Sequence, residues 1–218
     1  MRIWKRSPAG TNRDTVVVML TIALHTPKGG SGKSTLAREL AVAAGLAGLR
    51  VAMADLDPQG TTTGWFKRRQ AVEPPLVRYD PVAPDATLEG AGLDWLVVDT
   101  PPGQPAFLSA LLARAAVVLV PVRPTPDDLL AAAPIARSLT RCPAWAFVLS
   151  QVPPRSRLTA SAIRQLAGLG RVAPCQLTFR ADFPAAAIEG QAAVEFTGKA
   201  AQEGTALFEY TRTLLETA

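Results

Sequence analysis

A glycine-rich stretch of nine residues limits what this chain can fold into more than any other feature. The stretch is Pro27-Lys28-Gly29-Gly30-Ser31-Gly32-Lys33-Ser34-Thr35, and it lies between an apolar run that ends near His25 and a segment with helical periodicity. Closely spaced glycines let consecutive backbone N–H groups converge on one set of oxygens, and a helix start adds positive potential there. A turn of this kind between a strand and a helix is a P-loop, so the sequence predicts a site for a nucleoside triphosphate.

Two polar positions at the helix start have distinct predicted roles. Lys33 neutralises the β- and γ-phosphates, and the Ser34 hydroxyl is placed to ligate Mg²⁺. The predicted nucleotide-binding residues of the loop are Lys28, Gly29, Gly30, Ser31, Gly32, Lys33, Ser34 and Thr35.

From Val16 onward, short apolar runs bounded by Gly, Pro or Asp alternate with longer segments of helical period. This alternation is typical of α/β proteins, so we expect a doubly wound, mostly parallel sheet with helices on both faces. Strands are predicted over 20–25, 50–54, 76–79, 95–98, 116–120, 144–150 and 171–176, and helices over 34–46, 62–71, 105–114, 127–141, 158–169 and 199–217. We expect one domain over 19–218, preceded by a flexible extension over 1–18.

Acidic residues follow two of the predicted strands. Asp99 ends an apolar run and is the candidate for holding Mg²⁺. Asp55 and Asp57 are spaced so that both point to one side of a strand, with Asp57 placed to orient the attacking water and Asp55 nearer the metal. The carboxyl ends of the strands meet at one edge of such a sheet, so these loops should converge. Each acidic motif also has a purely structural interpretation. Asp99 would then cap a turn before Pro101, and Asp55 and Asp57 would form an Asx turn before Pro58.

Composition excludes several classes of function. Two cysteines, Cys142 and Cys175, and one histidine are too few for a disulfide framework, a zinc cluster or a His-based triad. The net charge is +5, but the first fourteen residues carry three of those charges, so bulk charge identifies no partner. The apolar run over 16–24 is too short to span a bilayer, and a reduced cytoplasmic protein is the expectation.

Together the motifs resemble those of the ParA/MinD family of deviant Walker-A ATPases. The resemblance rests on the loop with its extra lysine, Lys28, on Asp55-Leu56-Asp57-Pro58-Gln59-Gly60, and on Val97-Val98-Asp99-Thr100-Pro101-Pro102. The resemblance covers the chain from about Leu20 to its end. Because the chain is short, it is most similar to the small plasmid-type, ParF-like members of the family. The resemblance implies ATP and Mg²⁺ as cofactors, ATP hydrolysis with Lys28, Lys33 and Asp57 as catalytic residues, and an ATP-dependent sandwich homodimer. Lys28 would reach the partner's nucleotide; the alternative is a solvated loop lysine.

Two segments are candidates for the base side of the site. The run from Pro121 to Asp128 is where the family's adenine-side loop would lie, and Pro124 and Asp128 are the predicted contacts. Asp128 is equally explained as a charge at a helix start. The strand end at Ser150 and Gln151 is a second candidate border of the base.

The resemblance also implies partners. Small ParA proteins bind DNA without sequence preference as ATP-bound dimers, and a centromere-binding or adaptor protein stimulates hydrolysis. The expected function is therefore plasmid or chromosome partition by a nucleoid-associated cytoplasmic protein. Positioning of a protein cargo and an ATP-dependent metabolic ligase of the same fold are the alternatives.

A basic stretch over 141–181 contains no Asp or Glu and is the candidate DNA-binding region. Its candidate residues are Arg155, Arg157, Arg164, Arg171 and Arg180. The alternative is a solvated basic surface without a ligand. Membrane binding is not expected, because the final predicted helix carries more Glu than Lys and Arg.

Overall fold

The computed structural model describes residues 19–83, 88 and 91–217, and the predicted extension over 1–18 lies outside them. Its strands are β1 (Leu20–Leu24), β2 (Val51–Asp55), β3 (Trp95–Asp99), β4 (Val117–Val122), β5 (Trp145–Val152) and β6 (Val172–Thr178). Its helices are α1 (Lys33–Leu46), α2 (Thr61–Arg68), α3 (Leu108–Arg114), α4 (Pro126–Ser138), α5 (Leu158–Ala167), α6 (Asp182–Ile188) and α7 (Lys199–Glu216). A 3₁₀ helix lies at Ala193–Glu195.

The strands of the described residues form one parallel sheet in the order β2-β3-β1-β4-β5-β6. The predicted α/β class and doubly wound parallel sheet are therefore confirmed. The chain leaves the central strand β1 toward β2 and β3, then crosses to β4 on the other side. This reversal opens a crevice at the carboxyl end of β1, where a ligand can bind.

Alternating residues of the strands bury into two different layers. Ile22 and Leu24 on β1 pack with α1 and α7, whereas Ala23 between them packs with α3, α4 and α5, and all three are fully buried. Continuous apolar strands of this kind are required when helices cover both faces of a sheet. The central strand is thereby fixed from both sides, which holds the start of the following loop in place.

Two predicted elements differ clearly from the structure, and one observed helix was not predicted. Residues 76–79 are not a strand of the sheet: Leu76 makes an isolated bridge to Met53, because the flanking Pro74 and Pro75 lack the N–H groups that a longer ladder requires. Helix α2 ends at Arg68 rather than near residue 71. The short helix α6, with one acidic residue in its first turn, was not predicted.

Candidate functional site

The carboxyl edge of the sheet gathers the predicted motifs. In the strand register, Leu24 lies opposite Asp99, and Asp55 lies opposite Asp99 on its other side. The glycine-rich loop therefore starts beside both acidic motifs. The loop after β4 and the end of β5 close the other side of the same crevice.

The glycine-rich loop has the backbone conformation that its glycines allow. Gly30 and Gly32 have φ of +69° and +94°, in the left-handed region, and Gly32 immediately precedes α1. Side chains of β5 anchor the loop: Ser150 Oγ donates to the Ser31 carbonyl, and Gln151 Nε2 donates to the Gly30 carbonyl at 2.6 Å. The carbonyls of Gly30 and Ser31 are thus hydrogen-bonded to β5, which fixes this part of the loop.

Lys33 is buried at the start of α1, with 6% of its surface exposed. Its Nζ donates to the carbonyls of Thr26 at 3.3 Å and Lys28 at 3.1 Å, and no ion pair joins it to a carboxylate in the described part of the chain. Burial lowers the pKa of Lys33, against the opposing charges of Asp99 and Asp57. A desolvated ammonium without a counter-ion is suited to bind phosphate oxygens.

Asp99 is fully buried at the end of β3. Its Oδ2 accepts a hydrogen bond from Thr62 Oγ1 at 2.7 Å, and the nearby Ser34 hydroxyl, like Thr62, lowers the pKa of this carboxyl group. Its Oδ1 has no partner among the described residues. Burial raises the pKa of Asp99 to about 6. An orphaned carboxylate oxygen beside a serine hydroxyl is a donor set that fits Mg²⁺, which prefers oxygen ligands.

We expect Asp99→Asn to stabilise the nucleotide-free protein above pH 6 by about 3 kcal/mol. The pKa of Asp99 is raised from 3.8 to about 6 on folding, so the folded state prefers the neutral form. Wild-type stability from this group is therefore present below pH 4 and lost as the pH rises to 6, whereas Asn is always neutral. Urea unfolding of both proteins from pH 4 to 8 measures the difference. A variant that is less stable than wild type at pH 8 would contradict a net cost of burying the Asp99 charge.

Asp55 holds the beginning of α2. Its Oδ2 accepts from the Thr63 backbone N–H at 2.7 Å and from the Thr63 hydroxyl at 2.9 Å, and its Oδ1 accepts from the Asp57 N–H at 3.1 Å. Both oxygens thus have protein partners, unlike those of Asp99. The structure gives Asp55 a positioning role, and its contact with the metal stays a prediction.

Asp57 lies two residues after the end of β2 and forms a turn of its own. Its Oδ1 accepts from the Gln59 N–H at 3.0 Å, which is the Asx turn that the sequence left open. Its charge also raises the pKa of Lys33, so the two side chains are within electrostatic range. The Asx turn expected as the alternative is therefore present. The water-orienting role of Asp57 stays a prediction.

Lys28 has a fixed backbone and an unpaired side chain. Its carbonyl accepts from Lys33 Nζ and from Ser31 Oγ. Its ammonium group makes no ion pair with the residues that the structure describes. The side chain is half-buried, so part of it is available to a ligand or a second subunit.

A cavity of about 910 Å³ opens beside the start of α1. Gly32, Thr35 and Gln151 line it on the P-loop side, and Phe179 and Ile188 line it on the far side. Its apolar walls and position fit the base and sugar of a nucleotide.

The predicted base contacts in the loop after β4 do not line this cavity. Both carboxylate oxygens of Asp128 accept hydrogen bonds from Arg123, and Pro124 is buried. Their contact with nucleotide stays a prediction. Gln151 fits the second candidate, the end of β5, whereas no local pattern marked Phe179 or Ile188.

The candidate DNA-binding arginines are divided between the two ends of the strands, the carboxyl edge and the amino edge of the sheet. Arg155 and Arg157 are exposed in the turn between β5 and α5, at the carboxyl edge. Arg164 and Arg171 are exposed at the end of α5 and before β6, at the amino edge. Arg180 is half-buried and its Nε donates to Glu203 at 3.1 Å. The structure therefore does not bring the five together on one face of a single subunit.

The fold and the site define a P-loop nucleotide-binding protein, and comparison with known proteins identifies its family. Residues 22–194 match the model of the CobQ/CobB/MinD/ParA nucleotide binding domain. The chain belongs to this family, as its motifs predicted. The plasmid-type branch stays a prediction.

Three relatives illustrate the range of the family. The chain is 32% identical over 200 residues to the maintenance of carboxysome distribution protein A of Gloeobacter kilaueensis, covering 85% of this chain and 88% of the relative. An ATP complex of McdA from Cyanothece has a TM-score of 0.69 at 15% identity and covers 90% and 96% of the two chains. MinD of Pyrococcus horikoshii with Mg-ADP has a TM-score of 0.68 at 18% identity and covers 88% and 96%. These solved relatives hold the predicted cofactors, an adenine nucleotide and, in MinD, magnesium.

A helix that crosses a bilayer must be long and apolar, and this criterion applies to the helices in the described part of the chain. None of them is both long enough and apolar enough to cross a membrane.

Proposed function

We propose that this protein is a Mg²⁺-dependent ATPase that acts as a positioning switch: it dimerises on ATP, binds DNA without sequence preference, and releases it after hydrolysis. The observation that carries the proposal is the pair of lysines in one loop. Lys33 is buried and its ammonium bonds to backbone carbonyls of its own subunit, whereas Lys28 has a fixed backbone and a half-buried, unpaired side chain.

Each residue of the site has a proposed task. The loop amides and Lys33 bind the phosphates, Ser34 and Asp99 hold Mg²⁺, and Asp57 orients the attacking water. When bound, Mg²⁺ neutralises developing charge on the phosphates. The Asx turn at Asp57 restricts the orientation of this side chain, which supports a fixed position for its carboxylate.

Lys28 is assigned to the second subunit's site. A cation that arrives from outside the cradle stabilises the charge that develops on the transferred phosphoryl group, as arginine fingers do. Since this cation would come from the partner, hydrolysis depends on the dimer. An adaptor protein that adjusts this contact would then time the release of DNA.

The proposed cargo is a protein assembly in the cytoplasm rather than a plasmid. The support is the 32% identity to a protein named for maintenance of carboxysome distribution. Plasmid partition by a ParF-like protein, with a centromere-binding partner, is the competing assignment. Adaptor capture from the producing cells separates the two, because a centromere-binding protein would bring specific DNA with it.

The direct test is co-sedimentation with non-specific double-stranded DNA in the presence of Mg-ADP or a non-hydrolysable ATP analogue. We expect sedimentation with DNA only in the analogue. Binding that is equal in both nucleotides would remove the switch from the proposal, and failure to bind either nucleotide would overturn the ATPase itself.

Removal of exposed arginines should weaken the salt dependence of DNA binding. Arg155→Ala/Arg157→Ala and Arg164→Ala/Arg171→Ala are made as separate pairs, since the pairs lie at opposite edges of the sheet. If both arginines of a pair contact phosphates in both subunits, four contacts are lost and the log–log salt slope falls by about 3 to 4.

The matched control for these pairs is Arg114→Ala/Arg137→Ala, which removes two exposed arginines from α3 and α4. Fluorescence anisotropy of labelled DNA at several salt concentrations gives the slopes. If neither pair differs from this control, the DNA surface does not include the predicted arginines.

A further inference from the structure

Arg123 is clamped above the glycine-rich loop. It is the first residue after β4, and Asp128 on α4 accepts its backbone N–H at 3.2 Å, its Nε at 2.9 Å and its Nη2 at 2.9 Å. The Asp128 side chain is 1% exposed, whereas the Arg123 side chain is 32% exposed. The carboxylate is therefore buried with both oxygens hydrogen-bonded, and the guanidinium that it holds is partly exposed.

The remaining nitrogen of Arg123 points at the loop. A Cβ built on Gly30 would lie 3.9 Å from Arg123 Nη1, the nearest atom to that position. Nη1 has no hydrogen-bond partner among the described residues. From the opposite side, Gln151 fixes the Gly30 carbonyl, so the loop and the guanidinium are held rigidly next to each other.

This arrangement is suited to an anion that lies in the loop. Because Asp128 fixes the planar guanidinium, little conformational entropy remains to be lost when Nη1 binds a ligand. A guanidinium N–H matches a phosphoryl oxygen in charge and geometry. Lys28 is also close enough to this pair for its charge to lower the pKa of Asp128.

We propose that Arg123 contacts the polyphosphate of the nucleotide bound in its own subunit, with Asp128 as the positioning residue that orients it. The proposal rests on the proposed function and adds a residue of the loop after β4 to the phosphate site. It also gives Asp128, which the sequence predicted as a direct contact, an indirect role through Arg123.

The matched control is a second arginine on a buried aspartate. Arg50 donates to Asp94 at the opposite, amino edge of the sheet, and Asp94 is 7% exposed. Arg50→Ala thus removes the same charge from the same kind of pair, far from the loop. Titration with Mg-ADP and with a non-hydrolysable ATP analogue, at protein concentrations that keep the chain monomeric, gives the dissociation constants.

We expect Arg123→Ala to raise the dissociation constants of both nucleotides by about tenfold. Arg50→Ala should leave both dissociation constants within about twofold of the wild-type values. Arg123→Lys, which keeps the charge and lacks the fork, should be intermediate. Affinity unchanged in Arg123→Ala, or reduced equally in Arg50→Ala, would overturn the assignment of Arg123. If the wild type binds neither nucleotide, the proposed function fails instead, so the two failures are distinguishable.

A double-mutant cycle tests the positioning role of Asp128. Asp128→Asn should weaken nucleotide binding in the wild-type background and have no further effect in Arg123→Ala. A purely structural role would lower the unfolding midpoint in both backgrounds and reduce affinity additively. Additive losses of affinity would therefore exclude an action of Asp128 through Arg123.

Discussion

Lys33→Met is expected to weaken binding of Mg-ATP by about 100-fold or more without destabilising the nucleotide-free protein. The loss in affinity follows from the removal of the charge that neutralises the phosphates. The retained stability follows from burial, which lowers the pKa of Lys33 and so makes its charge unfavourable in the empty site. Methionine fills a similar volume and has no charge to bury.

Two measurements check this expectation. Nucleotide titration gives the affinity, and thermal unfolding without nucleotide gives the stability. Lys28→Ala is the control, because it removes the same charge from the same loop at a half-buried position and should keep nucleotide binding in the monomer. A Lys33→Met protein that unfolds at a clearly lower temperature would show that the two carbonyl contacts outweigh the cost of burial.

The single histidine reports the same change independently. His25 is buried beside the loop, and its pKa is lowered to about 4 by burial and by the charge of Lys33. The pKa of His25 should therefore rise when Lys33 is replaced by methionine. Because the chain has one histidine, its ring resonances give an unambiguous NMR titration.

The sequence predicted those parts of the site that directly follow a strand. The loop after β1 and Asp99 after β3 could be predicted because parallel strands bring their carboxyl ends to one edge. The strand predicted over 76–79 was wrong. Apolar periodicity suggested a strand, but the two prolines before it have no N–H groups to donate to a β-ladder, and only an isolated bridge forms.

Side-chain packing and pairing were the parts of the site that the sequence could not predict. The cavity walls at Phe179 and Ile188 come from the connection after β6, and their approach to α1 depends on how α6 packs. Asp128 is five residues from Arg123, and a first-turn acidic residue predicts a helix charge equally well. Only the three-dimensional arrangement shows that both oxygens of Asp128 are used to hold an arginine above the loop.

Lys28→Ala is expected to lower ATP hydrolysis in the dimer by about 10³-fold while nucleotide binding by the monomer is kept. The ammonium is unpaired within its own subunit, and its backbone already supports Lys33, so alanine leaves the cradle intact. Phosphate release is measured with DNA at protein concentrations that favour the dimer. Lys199→Ala, which removes an exposed lysine from the start of α7, is the matched control.

Mixing two inactive variants separates a role across the dimer from a role within one subunit. Lys28→Ala keeps its own nucleotide site, and Lys33→Met keeps the lysine that would reach the partner. A mixed dimer contains one complete site, so an equimolar mixture should recover up to about a quarter of wild-type hydrolysis. If Lys28→Ala alone hydrolyses ATP like the wild type, Lys28 has no catalytic role. If Lys28→Ala is inactive and the mixture stays inactive although mixed dimers form, Lys28 acts within its own subunit.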